Sequence, residues 1–240
     1  MPDKQRVSYG VDAPGVIRNL FIAAAACFIV PLFIPQIKFG NVVIDITWLF
    51  WSGLYFSLSP SLMLIYSLYG KFKHRDRMLD LISWKGDEQV LDIGTGKGLL
   101  MIGAAHKLTT GKSIGIDIWN NEDLSGNTIE NALKNAGIEG VRNKISIENE
   151  NAMHMSFADN SFDVVLSNLC LHNIYNKEGR NKACVEIGRV LKIGGTAVIS
   201  DFRHVKEYKQ NFDKLGLQTK LFTANYLTTF PPLRILLIKK

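Results

Sequence analysis

Hydrophobic residues are distributed unevenly along this chain, with two long apolar stretches preceding a region of alternating pattern. Between residues 16 and 70 the only charged side chains are Arg18, Lys38 and Asp45. From residue 71 onward, short apolar runs alternate with segments of helical periodicity, which is typical of a parallel sheet with helical crossovers. The pattern therefore predicts a loose, polar cytoplasmic tail at residues 1–15, an apolar hairpin at 16–70 and an α/β domain at 71–240.

The first apolar stretch is short for a membrane helix. Residues 20–34 would form about 22 Å of helix, against about 30 Å of hydrocarbon core. They span the bilayer only if Arg18 extends its charge to the interface and the two preceding apolar residues are included. A cleaved signal peptide, a shallow re-entrant segment and a helix buried against the α/β domain are the alternatives.

The second apolar stretch, residues 46–69, is long enough to span a bilayer as a helix of about 36 Å. Aromatic residues lie at both of its ends, as they do at membrane interfaces, and Pro60 predicts a kink near its middle. Basic side chains flank the pair of stretches on the outside, namely Lys4, Arg6, Arg18, Lys71, Lys73, His74, Arg75 and Arg77. By the positive-inside rule, we expect two transmembrane helices with both ends, and the α/β domain, in the cytoplasm.

Seven strands and five helices are predicted within the α/β domain. The strands lie at residues 89–93, 112–117, 144–148, 161–167, 196–201, 218–223 and 234–239. The helices lie at residues 71–84, 98–108, 123–137, 177–191 and 205–216, and a glycine turn at 192–195 follows the fourth of them.

Charge and cysteine content exclude several classes of partner. The net charge is +6, but the densest basic cluster adjoins the apolar stretches, and no basic run with interleaved aromatic residues occurs in the α/β domain. A lipid bilayer is therefore a better partner than nucleic acid. The cysteines Cys27, Cys170 and Cys184 lack paired spacing, and with five scattered histidines they predict neither a disulfide framework nor a metal site.

The stretch V-L-D-I-G-T-G-K-G at residues 90–98 carries the most specific chemical signal. A strand, a glycine-rich turn and a helix form one corner of an α/β sheet, where a ligand can approach the backbone closely. The spacing G-x-G-x-G differs from that of dinucleotide enzymes and of P-loops. Asp117 ends the next strand, 19 residues beyond Gly98, where a carboxylate reaches ribose hydroxyls, although it could instead cap the following helix.

Together these residues resemble the class I S-adenosylmethionine-dependent methyltransferases, closest to the small-molecule enzymes that include the quinone-ring methylases. The resemblance covers about residues 72–240. It implies a Rossmann-like α/β fold with a seven-stranded methyltransferase sheet, mostly parallel with an antiparallel last strand, here preceded by two transmembrane helices. It also implies S-adenosyl-L-methionine as the cofactor.

The resemblance assigns roles to individual positions. Asp92 stands where the family has an acid near the methionine ammonium, and it could also cap the loop backbone. Asp117 stands where an acid holds the ribose. Trp119 stands where an aromatic face can stack on adenine, with an ordinary core tryptophan as the alternative. Asn151 replaces an aspartate that accepts a hydrogen bond from the adenine amino group, and its amide oxygen can still do so. The implied cofactor-binding residues are Asp92, Gly94, Thr95, Gly96, Gly98, Asp117, Ile118, Trp119, Asn151, Ala152 and Asn168.

Methyl transfer from a sulfonium mainly needs alignment and exclusion of water, and a base helps only if the acceptor must lose a proton. His172 follows the fourth strand and is the preferred candidate base, with Tyr175 beside it. Asp201 and His204 are weaker candidates, and a purely packing role for His172 is the alternative. Cys170 is expected to pack rather than react.

These observations predict a membrane-anchored methyltransferase acting on a small acceptor that is hydrophobic or membrane-associated, such as a quinone precursor or a lipid. A catalytically silent protein that binds S-adenosylmethionine, or a membrane scaffold, is the alternative. A nicotinamide-dependent oxidoreductase is disfavoured by the glycine spacing. Nucleic-acid methylation is disfavoured because S-N-L-C, rather than an Asn/Asp-Pro-Pro-aromatic motif, follows the fourth strand.

Overall fold

The structure is a computed structural model, and it describes residues 6–120 and 122–240. Lys4 of the flanking basic cluster, like the rest of residues 1–5, lies outside the described residues. The N-terminal part consists of α1 (Pro14–Phe33), β1 (Gln36–Phe39), β2 (Val42–Asp45), α2 (Leu49–Ile65), a π-helical turn (Tyr66–Gly70) and α3 (Lys71–Leu79).

A seven-stranded sheet forms the second part of the molecule. Its strands are β3 (Gln89–Ile93), β4 (Lys112–Asp117), β5 (Ile145–Asn149), β6 (Phe162–Asn168), β7 (Leu191–Asp201), β8 (Gln218–Leu221) and β9 (Arg234–Lys239). The strand order is β5-β4-β3-β6-β7-β9-β8. Only β9 runs antiparallel to its neighbours among these strands, so the predicted sheet and its antiparallel last strand are confirmed.

Helices cover both faces of this sheet, as a parallel sheet requires. They are α4 (Leu99–Ala105), α5 (Ile129–Ile138), α6 (Lys177–Val190) and α7 (Val205–Lys214), together with α3. On one face, buried side chains of α6 and α7 pack against Leu91, Val165 and Ile199. On the other, Met78 and Leu79 of α3 pack with those of α4 and the opposite sides of the same strands.

The order of the strands reverses between β3 and β6, and this reversal positions the candidate site. The chain runs outward through β4 and β5 on one side of β3, and through β6 and β7 on the other. In such sheets ligands bind beyond the carboxyl ends of the strands at the reversal. The segments that follow β3 and β6, residues 94–98 and 169–173, therefore border one crevice.

Several predicted element boundaries are wrong, among them the end of the helix predicted at 98–108 and of the strand predicted at 218–223. Three further differences have a local reason. The helix predicted at 71–84 ends at Leu79, whose carbonyl oxygen accepts a hydrogen bond from Trp84 Nε1 (2.9 Å). The helix predicted at 123–137 begins only at Ile129, because Thr128 is its N-cap and accepts from the Asn131 amide (3.3 Å). The predicted turn at residues 192–195 lies inside β7, where Gly194 adopts φ +80° and forms an irregularity within the strand.

The N-terminal segment, defined here as residues 8–13, packs on the sheet domain, so the prediction of a loose tail is wrong for these residues. Tyr9 is buried and its hydroxyl donates to Glu139 (2.7 Å). The Ser8 amide donates to Asn135 Oδ1 (3.2 Å), and Asn135 Nδ2 donates to the carbonyl oxygens of Ser8 and Lys97 (3.0 Å each). The segment thereby joins α5 to the loop that follows β3.

Two of the basic residues predicted to lie at the membrane surface are instead buried inside the protein, where they make hydrogen bonds. Lys71 is buried, and its Nζ donates to the carbonyl oxygens of Tyr9 (2.8 Å) and Gly10 (2.6 Å). His74 is buried against Ser200 Oγ (2.6 Å from Nε2), and burial, aided by Arg77, lowers its pKa to about 4. Lys73 remains exposed on the same helix.

The two apolar helices pack side by side, with Phe28 of α1 against Gly53 of α2. Helix α2 continues through Pro60, and the π-helical turn carries it into α3 as one helical run, Leu49–Leu79. The connection, to which the sequence analysis assigned no element, forms the antiparallel hairpin β1–β2. Gly-Asn between two short runs that contain apolar residues is the hairpin signal that the sequence reading missed.

Replacing Asn135 with alanine is expected to detach the N-terminal segment. The change leaves the Ser8 amide and the Ser8 and Lys97 carbonyl oxygens without their partner, which costs about 1–3 kcal/mol. Thermal unfolding in detergent should show a lower Tm, by about 2–4 °C for each kcal/mol. Proteolysis at Arg6 should also become faster.

The matched control is Lys134→Ala, an exposed position on the same helix, which should leave both readouts unchanged. Equal shifts in the two variants would show that the Asn135 contacts contribute nothing specific.

Candidate active site

The loop after β3, residues 94–98 and called here the glycine loop, has a backbone that side chains would obstruct. Gly94, Gly96 and Gly98 have φ values of +72°, +54° and +87°. A Cβ on Gly94 would collide with Cys170, and one on Gly96 would lie 2.8 Å from Leu124 Cδ2. Glycine is therefore required here both by conformation and by close approach.

Asp92, in β3, is hydrogen-bonded to the glycine loop and to the helix that follows it. It is buried, and its Oδ2 accepts hydrogen bonds from Thr95 Oγ1 (2.9 Å) and from the Met101 amide in α4 (3.0 Å). Burial raises the pKa of its carboxyl to about 7, although those two hydrogen bonds act in the opposite direction. The structure thus places Thr95 and Asp92 in one network that ties the glycine loop to the first turn of α4.

Asp117 lies beside the glycine loop, at the end of β4. Its Oδ2 accepts from the Gly96 amide (2.8 Å), and its Oδ1 accepts from the Trp119 amide (2.7 Å) and from Asn127 Nδ2 (3.4 Å). A carboxylate has about four lone-pair positions, so it can accept further donors. The structure therefore brings the Asp117 carboxylate against the backbone of the glycine loop at Gly96.

Trp119 and Ile118 form the rim after β4. Ile118 is exposed, whereas Trp119 is half-buried in a left-handed conformation (φ +61°). Trp119 Nε1 and the neighbouring Asn127 Oδ1 are buried without a hydrogen-bond partner among the described residues. Buried polar atoms of this kind are normally satisfied, so they mark a place for a polar ligand group.

Asn151 and Ala152 follow β5, on the far side of Asp117. Asn151 is exposed, and its Oδ1 accepts from the Met153 amide (2.9 Å). Ala152 is buried. The amide oxygen therefore caps a turn and keeps a second lone pair for another donor.

Leu124 separates the N-terminal segment from the glycine loop. A Cβ on Gly10 would lie 3.1 Å from Leu124 Cδ1, just as one on Gly96 would meet Cδ2 of the same side chain. The Ala13 amide donates to the Asp123 carbonyl oxygen (2.8 Å), and Val11 and Ser125 exchange hydrogen bonds. The N-terminal segment thus covers one side of the glycine loop, which no sequence pattern indicated.

His172 forms a pair with Asp201 at the ends of β6 and β7. His172 Nδ1 lies 2.9 Å from Asp201 Oδ1, and the His172 amide donates to Asp201 Oδ2 (3.1 Å). The Asp201 side chain is 0% exposed, whereas that of His172 is 17% exposed. The ring packs edge-on against Phe202, with ring centroids 4.7 Å apart. The backbone hydrogen bond and the Phe202 contact therefore position the imidazole beside the Asp201 carboxylate.

Asn168, at the end of β6, faces the helical run of the N-terminal part. Its side chain is next to the buried Tyr66 hydroxyl. Neither Asn168 Oδ1 nor the Tyr66 hydroxyl has a hydrogen-bond partner among the described residues. Sequence reading did not single out Tyr66 as a site residue, because its place at the end of an apolar stretch suggested a membrane-interface role.

The structure does not gather the other candidates at the same point. The Tyr175 side chain is 94% exposed on the loop before α6. His204 stands at the start of α7, with its Nδ1 3.7 Å from Glu207 Oε2. Cys170 packs on Gly94, and burial raises the pKa of its thiol, in keeping with the packing role expected from the sequence.

Comparison with known proteins identifies the family. A family model described as a methyltransferase domain matches residues 85–226, well over half of the chain. The chain belongs to the methyltransferase-domain family. The match begins before β3 and ends in the loop between β8 and β9, so it contains the glycine loop, Asp117 and the His172–Asp201 pair. The class I assignment made from the glycine loop is therefore confirmed.

Relatives and solved structures agree with this family. The chain is 38% identical to the demethylmenaquinone methyltransferase of Bacteroides fragilis over 112 residues, which are 47% of this chain and 42% of that protein. It is 31% identical to the demethylmenaquinone methyltransferase of Lactiplantibacillus plantarum over 151 residues, which are 61% of this chain and 60% of that protein. This methyltransferase-family chain thus spans less than two thirds of the length of either relative.

The fold is that of a SAM-dependent methyltransferase from Aquifex aeolicus. That structure superposes with a TM-score of 0.53 and 16% identity, and the match covers 68% of this chain and 88% of the other. S-adenosylmethionine, the cofactor implied by the family, fits the residues present. The three glycines of the loop have no room for a Cβ. Asp117 can accept further hydrogen bonds, and polar atoms of Trp119 and Asn127 after β4 have no partner among the described residues.

Replacing Asp92 with asparagine is expected to flatten the pH dependence of stability. Between the ordinary carboxyl pKa of about 4 and the raised value of about 7, the unfolded chain releases a proton that the folded chain retains. The wild-type free energy of unfolding therefore receives a contribution that falls as pH rises through this window. Asparagine retains an acceptor for Thr95 and Met101 but does not titrate.

The free energy of unfolding of Asp92→Asn minus that of the wild type should accordingly increase from about pH 4 to about pH 7. Chemical unfolding in detergent measures both values. Asp92→Ala, which also lacks the acceptor, should be less stable than Asp92→Asn at every pH. Parallel pH profiles for wild type and Asp92→Asn would contradict the raised pKa.

Proposed function

We propose that this protein is a membrane-anchored, S-adenosylmethionine-dependent methyltransferase that acts on a small hydrophobic or membrane-associated acceptor. One observation carries the proposal: in a chain of the methyltransferase-domain family, a single sheet edge holds the glycine loop, Asp117 and the His172–Asp201 pair. This edge is the place where α/β sheets of this topology bind ligands.

The cofactor would lie along the carboxyl ends of β3, β4 and β5. Asp117 would accept hydrogen bonds from the ribose hydroxyls. Ile118 and Trp119 would flank the adenine, and the adenine amino group would donate a hydrogen bond to Asn151. Gly94, Gly96 and Gly98 leave room for the methionine part. The buried Asp92 acts through the loop that it holds, and its negative form would be favoured by a nearby positive charge.

His172 would act as a general base towards the acceptor. The bound cofactor supplies an electrophilic methyl group on a positively charged sulfur. His172 Nδ1 lies 2.9 Å from Asp201 Oδ1, so a proton on Nδ1 would be stabilised by the carboxylate and would leave Nε2 as the free acceptor of the imidazole. Nε2 would take the proton that an acceptor hydroxyl loses when the acceptor receives the methyl group. Asp201 would favour the tautomer that carries the proton on Nδ1.

The proposed acceptor class follows from two independent indications. Both curated relatives quoted above are named as demethylmenaquinone methyltransferases, which supports a quinol-like aromatic acceptor. The apolar N-terminal helices support an acceptor that resides in a membrane. A hydroxylated aromatic ring that carries an apolar chain satisfies both indications and has the proton that His172 would remove.

Exposure of apolar surface supports the membrane anchor. In α1 and in the Leu49–Leu79 run, only 17% of the most apolar window is buried within the molecule, unlike a core helix of a soluble domain. Monomeric soluble proteins rarely expose apolar patches of more than a few hundred Å². The exposed apolar side chains include Val16, Ile22, Ile29, Leu32, Phe33, Trp51, Leu54, Tyr55, Leu58 and Ile65.

Variants of His172 and Asp117 should separate turnover from cofactor binding. His172→Ala should lower kcat with a 1,4-naphthoquinol probe by about 10²-fold or more, while leaving S-adenosylmethionine affinity unchanged. Asp117→Asn should weaken S-adenosylmethionine binding by about tenfold, or about 1.4 kcal/mol. Calorimetric titration and radiolabelled methyl transfer on the detergent-solubilised full chain give the two readouts.

His204→Asn serves as the control for the His172 variant, because asparagine tolerates the left-handed backbone of residue 204 (φ +58°). Glu148→Gln, which changes an exposed carboxylate on β5, serves as the control for the Asp117 variant. Neither should alter kcat or affinity. Binding without transfer to any quinol would instead favour the silent cofactor-binding alternative, and absence of binding would refute the proposed function.

Labelling from the two sides of a membrane should establish the topology. Asn41→Cys, in the β1–β2 turn, should react with a membrane-impermeant maleimide only in right-side-out vesicles. Lys214→Cys, exposed on α7, should react only in inside-out vesicles, because the positive-inside rule predicts a cytoplasmic α/β domain. The wild-type chain corrects for its native cysteines, and labelling of both sites from one face would exclude a two-span hairpin.

A further inference from the structure

A groove lies where the N-terminal helical run meets the sheet domain. One wall consists of Leu62, Ile65, Tyr66, Tyr69 and Lys73, and the other is the β8–β9 loop at residues 226–230. We call this feature the junction groove. Apart from Lys73, the wall on the helical run consists of apolar and aromatic side chains.

Close backbone packing forms the floor of the junction groove. A Cβ on Gly70 would collide with the Thr228 carbonyl oxygen. Only glycine allows the loop to approach the π-helical turn this closely. The two walls therefore belong to different parts of the molecule but are held together at a fixed point.

The β8–β9 loop is built to present apolar side chains at its tip. Asn225 Oδ1 accepts from the amides of Leu227 (3.0 Å) and Thr228 (3.2 Å), and the Thr229 hydroxyl donates to the Asn225 carbonyl oxygen (2.5 Å). Within this hydrogen-bonded turn, Tyr226 and Leu227 are 73% and 96% exposed. A turn that is ordered by polar contacts yet exposes two large apolar residues indicates an apolar environment beyond the protein.

The junction groove extends from the apolar end of α2 towards the polar end of the helical run. Leu62 and Ile65 belong to the stretch proposed to lie in the bilayer, whereas Lys73 lies two turns further, among residues of the sheet domain. Lysine at such a boundary places its charge in the headgroup region while its stem stays on apolar surface. The outer end of the groove therefore opens at the depth of the lipid chains.

Tyr66 connects the junction groove to the candidate active site. It lines the groove, and its buried hydroxyl is next to the Asn168 side chain at the end of β6. Because the Tyr66 hydroxyl and Asn168 Oδ1 have no partner among the described residues, both remain able to pair with a polar group beside them. His172 follows four residues after Asn168 at the same edge of the sheet.

We infer that the junction groove is the binding site for the apolar chain of a membrane-resident acceptor, which enters sideways from the bilayer. The chain lies between α2 and the β8–β9 loop, and the polar head reaches Tyr66 and Asn168 next to His172. This inference rests on the proposed methyltransferase function and specifies how its acceptor is held. It predicts that chain recognition and head-group chemistry can be altered separately.

The test uses the full chain in vesicles of phosphatidylethanolamine and phosphatidylglycerol, with four probes. They are 1,4-naphthoquinol, the same quinol carrying a polyprenyl chain, a polyprenyl quinol with a diazirine in its chain, and a diazirine phospholipid. Ile65→Trp narrows the groove. It should reduce diazirine labelling of peptides 62–73 and 226–230 and raise KM for the polyprenyl quinol by about tenfold, since a few buried methylenes supply that much affinity. KM for the chain-free quinol should not change.

Leu58→Trp is the matched control, because Leu58 is an equally exposed apolar residue on α2 (57% against 56% for Ile65) outside the groove wall. It should leave labelling and both KM values unchanged. S-adenosylmethionine affinity, measured for both variants, verifies that they are folded.

The outcomes separate the inference from the proposed function. Labelling of the groove without methyl transfer would retain the groove as a chain site and refute the activity. Methyl transfer with no groove labelling and no effect of Ile65→Trp would retain the activity and overturn the groove. Labelling by a diazirine phospholipid that excess polyprenyl quinol does not displace would also overturn it, because the groove would then hold lipid only.

Discussion

One continuous helical run, Leu49–Leu79, connects the apolar N-terminal part to the sheet domain, and the geometry of the molecule depends on it. At its carboxyl end, Met78 and Leu79 are fully buried in the core of the sheet. At its amino end, α2 packs on α1 and exposes apolar side chains. Because no flexible linker intervenes, the orientation of the sheet relative to the apolar helices is set by the helix itself. Tyr66 is placed beside the end of β6 for that reason.

Polar groups at the sheet edge divide into two kinds, which the contacts distinguish. The Asp92 carboxyl group already has partners within the protein, since it accepts hydrogen bonds from Thr95 and from the first turn of α4. Asn168, Trp119 and Asn127 instead carry buried polar atoms without partners. Burying such atoms unpaired costs about 1–3 kcal/mol each, so their presence after β4 and at the end of β6 indicates a ligand site more strongly than hydrogen-bonded acids would.

The N-terminal segment shows how a short polar sequence acquires a role through distant partners. Residues 8–13 contain no periodic pattern and would be expected to be mobile. Yet Lys71, Asn135 and Ser125 all bond to their backbone. Through Leu124, the same residues cover the glycine loop. Access to the proposed cofactor site therefore depends on a segment that lies outside the matched family region of residues 85–226.

The sequence by itself determined the strands, the glycine loop and the family. Strands β3, β4 and β9 have the predicted bounds, because apolar runs between turn residues admit little alternative. Only the tertiary structure decided which polar groups meet: the His172–Asp201 pair joins residues 29 positions apart, and Tyr66 approaches Asn168 across the two parts of the molecule. It also placed α5 later than predicted, since residues 123–125 pair with the N-terminal segment. Periodicity records burial along one element, whereas these contacts depend on how separate elements pack.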